Sequence, residues 1–543
     1  MSDQKEYIVT LKSKDDLDGF YKDIETPGGN LHIPDRSVEC CKKRPISRNT
    51  HYMLTDEEAD MVRGDPRVLG VERVPKDIGL FPIRYFEQFE TTWNKSNSNI
   101  SSHKNWGLLR CFEGEQRPGW GSNGTTSQSG TVRVNPEGRN VDVVIVDGFF
   151  DPTHPEFAVN ADGTGGSRVI QYNWFQHDNG QASSNYVYTP YVDLSDSERT
   201  DDNNHGAHVA GTVAGNTQGW ARSANVYNIN PYSTDVNQVS TSILIDFIRD
   251  FHDSKPINPV TGRRNPTICN HSWGFGSALA INQISSVTFR GTTTSGPFTE
   301  QQIRNFGIFT RTINGTIFAI RPARVLSLDV DMEDASLDGI IMVGSAGNDS
   351  TKIDVLGGQD FNNFFVWDGF VVPYHRGSSP AAANRCICVG AINDLTDDSK
   401  AQFSNTGPRV DLFAPGVSIM SSLNSTNSFG GTTDPRNSSF FIGKISGTSM
   451  ASPQVCGILT CLLETYPNLT QDQAIEYIKF YSKSSQIPDS GGDVTDYTSL
   501  QGADNRYLAY FEERVSQGIP TPKNNVFVRP QTGQIYPRTR IRR

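Results

Sequence analysis

Polar and apolar positions follow two rhythms along this chain. Over Tyr7-Ile8-Val9-Thr10-Leu11-Lys12 they alternate, as in a strand with one wet face. Ser13 to Glu25 opens with Ser and Asp residues suited to an N-cap and continues as an amphipathic helix. A second half repeats the scheme: Tyr52-Met53-Leu54 is extended, Thr55-Asp56-Glu57-Glu58 has the form of a capping box before Ala59 to Arg63, and Val68-Leu69-Gly70-Val71-Glu72 is a closing strand. The predicted order is β-α-β-β-α-β. Further on the rhythm changes. Val141-Asp142-Val143-Val144-Ile145-Val146 is an almost unbroken apolar run, which predicts a parallel strand buried on both faces that delivers Asp147 to the sheet edge. The polar Asp202-Asn203-Asn204 leads into the small-residue helix His205-Gly206-Ala207-His208-Val209-Ala210-Gly211, with His205 at the junction. Gly447-Thr448-Ser449-Met450-Ala451-Ser452-Pro453, followed by Gly457 and an apolar run, reads as a sharp loop entering a buried helix.

Ser449 stands near that helix N-terminus, where free N–H groups favour developing negative charge, and Pro453 is read as lying in the first turn. A serine hydroxyl at neutral pH becomes a nucleophile only with a base to take its proton and a third group to orient the base. His205 and Asp147 are the candidates. The chain order Asp147, His205, Ser449, in these local sequences, closely resembles the subtilisin-like serine peptidases, peptidase family S8. The resemblance implies an α/β fold, a doubly wound and mostly parallel sheet preceded by a small ferredoxin-like α+β prodomain, and it implies a serine endopeptidase acting through an acyl-enzyme. Ile341-Met342-Val343-Gly344-Ser345-Ala346-Gly347-Asn348 resembles the family strand that ends in an oxyanion donor, which assigns that role to Asn348 together with the Ser449 N–H. Asn270-His271-Ser272-Trp273-Gly274 resembles the segment that pairs with extended substrate. Ser272, Trp273 and Gly274 would form one wall of the pocket before the scissile bond, and Ser345, Ala346 and Gly347 the other. Ala401 to Gly407 and Asp411 to Gly416 match the family with a structural role. Residues 1–76 resemble the family's inhibitory, inhibitor I9-like propeptide, which implies a self-processing zymogen whose prodomain acts in cis or trans.

The expected organisation is residues 1–76 as propeptide, 77–104 as linker, 105–512 as peptidase with insertions near 285–324 and 351–378, and 513–543 as a basic, Pro-containing tail. The processing cut is expected between Val74 and His103. Gly148 and Phe149 follow Asp147 where the family has Ser or Thr and then Gly, so Gly148 is expected to offer the carboxylate no hydrogen bond. The aromatic stretch with Phe361, Phe364, Phe365, Trp367 and Phe370 suits either a cleft lining or a satellite core. The family's calcium loop in the histidine helix is missing, because Gly215-Asn216-Thr217-Gln218-Gly219 leads directly to the next strand. No cofactor is required, and structural calcium is left open. His205 and His208 could in principle share a metal, but without a His-Glu-x-x-His pattern His208 is expected to pack or hydrogen-bond on its helix. Two other functional readings stay open: a silent binding or structural protein on a peptidase fold, and a peptidase limited to one self-cleavage.

Composition narrows the partners. A chain of 543 residues that is 36% apolar can bury one large and one small core. A net charge of −11 leaves no electrostatic footprint for nucleic acid or an anionic membrane. Basic residues concentrate only at the end, in Arg529, Arg538, Arg540, Arg542 and Arg543. No apolar segment is long enough to span a bilayer. Met1 to Glu6 lacks an apolar signal core, so an intracellular or virion-associated location is expected, with secretion by a non-standard route left open. The eight cysteines form no evident disulfide pairs by spacing.

Overall fold

The computed structural model describes residues 4–26, 31, 38, 40–44, 46–74, 79–82, 105–111, 134–178, 188–195, 204–232, 237–395, 397–425 and 429–510. The N-terminal unit is an antiparallel sheet in the spatial order Cys40–Lys42, Asn49–Leu54, Lys5–Leu11, Val68–Arg73. Helices Leu17–Glu25 and Asp56–Arg63 complete it, which is the ferredoxin-like arrangement that the alternation predicts. The capping box forms: Thr55 accepts from the Glu58 N–H, and Glu58 accepts from the Thr55 N–H.

The main sheet has eight strands, seven of them parallel in the order Arg506–Tyr507, Leu412–Pro415, Ile387–Ile392, Ile341–Ser345, Thr267–His271, Asp142–Val146, Asn225–Ile229. Strand Asp142–Val146 shows why its sequence does not alternate. Val143 and Ile145 enter the core that contains the helices His205–Ala214 and Thr448–Thr465, while Val144 and Val146 enter the core against helices Leu244–Ser254 and Leu326–Leu337. Both faces are dry, so every side chain from Val143 to Val146 is apolar, and the one charge at the strand's start, Asp142, is paired with Lys255 at 2.9 Å.

The two stretches expected as insertions, 285–324 and 351–378, pack together. Strand Ile284–Phe289 pairs with Thr292–Ser295 on one side and with Phe364–Trp367 on the other, and Phe370–Pro373 closes that sheet. Ile284, Val287, Phe365, Val372 and Tyr374 fill its core, so the aromatic stretch chiefly builds a satellite core, with Phe370 left 64% exposed. A second hairpin, Thr310–Ile313 with Thr316–Pro322, pairs through its later strand with Trp273–Ala280. The far side of Trp273–Ala280 holds Gly79–Pro82 in antiparallel register, from Gly79 opposite Gly276 to Pro82 opposite Trp273. The expected linker 77–104 therefore contributes a strand at 79–82; the remainder of the linker is largely outside the described residues, as is the tail 513–543.

The N-terminal unit sits on helices Leu244–Ser254 and Leu326–Leu337. Arg44, fully buried, donates from Nε to Asp246 at 2.8 Å and from Nη2 to Asp331 at 2.7 Å. Ser47 and Asn49 add bonds to Asp331 at 2.7 and 3.0 Å. The Glu72 carboxylate accepts from the N–H groups of Leu326 and Ser327 at 3.2 and 2.9 Å, satisfying free donors at the start of the second helix.

Candidate active site

Asp147 is fully buried at the end of its strand. Its Oδ1 accepts from the Gly148 N–H at 2.8 Å. The expectation that Gly148 offers no hydrogen bond is thus corrected: glycine lacks a hydroxyl, but its main chain supplies the bond. Asn228, in the adjoining strand, donates to the carbonyl oxygens of Asp147 and Gly148 at 3.1 Å each and pins the turn.

Helix His205–Ala214 begins after Asn204, whose φ of 70° turns the chain into it. His205 Nδ1 donates to Asp147 Oδ1 at 2.8 Å. That bond selects the tautomer in which Nε2 is the basic nitrogen. Nε2 is buried without a hydrogen-bond partner among the described residues. The helix reaches this position only because residue 206 is glycine: a Cβ there would stand 2.1 Å from the Gly148 carbonyl oxygen. His208 faces elsewhere and donates to the Ile419 carbonyl at 2.7 Å, and burial pushes its pKa down to about 3, so it is a neutral structural histidine. The turn after the helix is closed by buried Glu156, which accepts from the N–H groups of Thr217 and Gln218 at 2.9 Å each and pairs with Arg436 at 2.5 Å. Among the described residues no group of three or more His, Cys, Asp and Glu side chains is placed to hold a metal ion.

Ser449 is the second residue of helix Thr448–Thr465, so Pro453 lies in the second turn, not the first as its sequence position suggested. The consequence is local and useful. Pro453 has no N–H to give the carbonyl four residues back, which is that of Ser449. The Ser272 hydroxyl takes that place, donating to the Ser449 carbonyl at 3.0 Å, while Ser449 Oγ donates to the Ser272 carbonyl at 3.1 Å. Ser272 is therefore buried behind helix Thr448–Thr465 and clamps it.

Asn348 Oδ1 accepts from both the N–H and the hydroxyl of Thr448 at 2.9 Å. With its oxygen so committed, Nδ2 remains a donor without a partner among the described residues. Gly347, at φ 109°, donates to Thr448 Oγ1 at 3.1 Å, and a Cβ on it would meet Asn405 Nδ2 at 2.3 Å. Asn405 in turn donates to the Ala346 carbonyl at 3.0 Å and accepts from the Asp349 N–H at 3.0 Å, which gives the 401–407 match a physical role. Ser345 is buried at the strand end, and the Ala346 N–H is spent on the Val389 carbonyl at 2.9 Å. Gly274 presents its main chain to strand 79–82, whereas the Trp273 ring is buried in the core and forms no part of a pocket wall. Asn228, Asn204, Thr448 and Asn405 were not singled out from the sequence. Asn228 carried a signal, an amide interrupting the otherwise apolar Val226-Tyr227-Asn228-Ile229.

A family model described as the subtilase family, peptidase S8, matches residues 138–501. The chain belongs to the subtilase family. Subtilases are hydrolases, and membership makes this chain a subtilisin-like serine endopeptidase by class, with peptides or proteins as substrates. A subtilisin-like protease of Coccidioides posadasii is 26% identical over 393 residues, 72% of this chain and 69% of its own. An extracellular serine proteinase of Thermus sp. is 23% identical over 447 residues, 82% of this chain and 73% of its own. With two further fungal relatives included, the matched stretch spans from 45% to 73% of the relative's length. The solved structure of fervidolysin from Fervidobacterium pennivorans, a keratinolytic enzyme related to subtilisin, overlaps with a TM-score of 0.49 at 18% identity, covering 96% of this subtilase and 63% of that chain.

Proposed function

We propose that this subtilase is an active endopeptidase made as a self-inhibited precursor, with Asp147, His205 and Ser449 as its triad. Ser449 Oγ attacks the substrate carbonyl as His205 Nε2 takes its proton, and Asp147 holds the ring and stabilises the imidazolium. Asn348 Nδ2 and the Ser449 N–H receive the oxyanion, and water then hydrolyses the acyl-enzyme. The observation that carries the reading is a pair of buried, unpartnered groups: the acceptor His205 Nε2 and the donor Asn348 Nδ2, each with its opposite end already fixed by Asp147 or Thr448. Burying polar groups without partners costs about 1–3 kcal/mol each. A site that keeps two such groups of opposite sense is built to receive a hydroxyl proton and an oxyanion.

The precursor reading rests on strand 79–82, which lies along Trp273–Gly276 beside the nucleophile, and on the contacts of Arg44 and Glu72 that hold the N-terminal unit. The first 76 residues then act as an inhibitory propeptide, and since Pro82 lies opposite Trp273, one residue short of Ser272, the cut falls after residue 83. The test is intact mass of wild type and Ser449→Ala after treatment with a fluorophosphonate probe. Adduct and loss of an N-terminal piece in wild type alone support the reading. An uncut, unlabelled wild type indistinguishable from the variant refutes it in favour of a silent protein.

A further inference from the structure

Strand Trp273–Ala280 is eight residues long, and among the described residues the segment seated on its outer edge pairs with the first four. The direction of its main-chain groups can be worked out residue by residue. The Phe275 carbonyl accepts from the Ala323 N–H at 2.8 Å, and the Phe275 N–H donates to the Ser379 carbonyl at 3.2 Å, so Phe275 faces the side of the inserted hairpin. Neighbouring residues in a strand point their N–H and C=O groups to opposite edges. Ser277 and Leu279 therefore face the hairpin with Phe275, while Gly274, Gly276 and Ala278 face the edge that carries strand 79–82. Two partners agree with this assignment. Pro322, opposite Gly276, has no N–H to give, and Ile320, opposite Ala278, donates away from this strand to the Phe309 carbonyl at 2.8 Å.

Gly276 is the last residue that strand 79–82 pairs with; Ala278 is exposed, and no described strand pairs with it on that edge. The hairpin Thr310–Pro322 is what keeps the strand extended this far, by pairing its later half, Gly276–Ala280, from behind.

We propose that Trp273–Ala280 is a long substrate-binding edge, and that the preferred substrate of this subtilase is an extended, unfolded polypeptide reaching at least seven residues back from the scissile bond. The inference rests on the peptidase reading. The register of strand 79–82 sets the count. A substrate residue opposite Ser272 stands beside the nucleophile, because the Ser272 carbonyl accepts from Ser449 Oγ, and it is residue 1, the one whose carbonyl is attacked. Residue 2 then opposes Trp273, residues 3 and 5 bond with Gly274 and Gly276, and residue 7 bonds with Ala278. Residues 4, 6 and 8 direct their own amides away from the edge.

The experiment measures kcat/KM of the purified chain on peptides with one fixed sequence around the cut, extended on the acyl side to five, seven or nine residues. Residue 7 gains two main-chain bonds, each contributing about two- to tenfold, so extension from five to nine raises kcat/KM by about tenfold. Methylating the amide nitrogen of residue 7 returns the rate to the five-residue value, and methylating that of residue 6 or 8 leaves it unchanged. Ala278→Pro gives the same loss on the long peptide only, since the N–H it removes faces the edge and not the hairpin. Equal rates at all lengths, or equal losses from methylation at 6 and 7, overturn the long edge while leaving the peptidase standing. No hydrolysis of any peptide overturns both.

Discussion

Replacing Arg44 with methionine keeps an unbranched side chain in place and removes the cation that is hydrogen-bonded to two buried carboxylates. Its guanidinium is fully buried, bonded to Asp246 and Asp331 at 2.8 and 2.7 Å. After substitution Asp331 keeps Ser47 and Asn49, but Asp246, with Oδ1 already unpartnered, loses its Arg44 bond and retains only the more distant charge of Arg249. Breaking one side of a buried pair costs about 3–5 kcal/mol, or about two to four powers of ten in the docking of the N-terminal unit. The assay is hydrogen exchange in the Ser449→Ala chain, where both units stay covalently joined. Protection at the Leu326 and Ser327 amides, which bond Glu72, should fall by that factor, while the buried strand Ile341–Ser345 keeps its protection. Adding Asp246→Asn should restore part of the loss, because it removes the stranded charge. Strict additivity of the two substitutions, or unchanged protection at Leu326 and Ser327, would refute the shared-cation account.

Three further outcomes are expected. Asn348→Ala should lower kcat by about 10²–10³ with little change in KM, a range measured for the side-chain donor of subtilisin itself and not worked from these distances; an unchanged kcat removes Asn348 from the oxyanion site. Gly206→Ala should abolish labelling by the fluorophosphonate probe, since a Cβ 2.1 Å from the Gly148 carbonyl forces the helix and His205 away from Asp147; a labelled variant with normal kinetics counts against that close approach. Burial raises the carboxyl pKa of Glu333 to about 7 and of Asp246 to about 6 beneath the N-terminal unit. Each takes up a proton on docking at any pH between its ordinary value near 4 and its docked value. Docking is therefore favoured below that window and weakens as pH rises through it, so gel filtration of the cut protein should show more release of the N-terminal piece at pH 8 than at pH 5; the reverse order refutes the assignment.

The parts of this chain that could be read from its sequence are those decided locally. The run at 141–146 is apolar but for Asp142 because both faces are buried, and the capping box at Thr55 and Glu58 is closed within one turn. The candidate site residues stand at the ends of such elements. What could not be read depends on partners far along the chain. Gly79-Leu80-Phe81-Pro82 is a strand only because Trp273–Gly276 lies beside it, and Arg44 looks like part of a solvated basic loop until Asp246 and Asp331 arrive from 202 and 287 residues away. The merging of the two insertions is likewise a long-range pairing of Ile284–Phe289 with Phe364–Trp367. Pro453 stands one turn deeper than its local sequence suggests because the compensating hydroxyl, on Ser272, is 177 residues distant from Ser449.

Because one strand pairs on one edge with Gly79–Pro82 and on the other with the hairpin Thr310–Pro322, occupancy of the first edge and local stability are thermodynamically linked. Any segment that pairs with Trp273–Gly276 holds the strand in the conformation the hairpin needs, and an ordered hairpin lowers the entropy lost when a segment binds. The coupling is reciprocal, so a substitution that loosens Thr310–Pro322, well away from Ser449, weakens every occupant of the edge by the same factor by which those occupants would otherwise protect the hairpin.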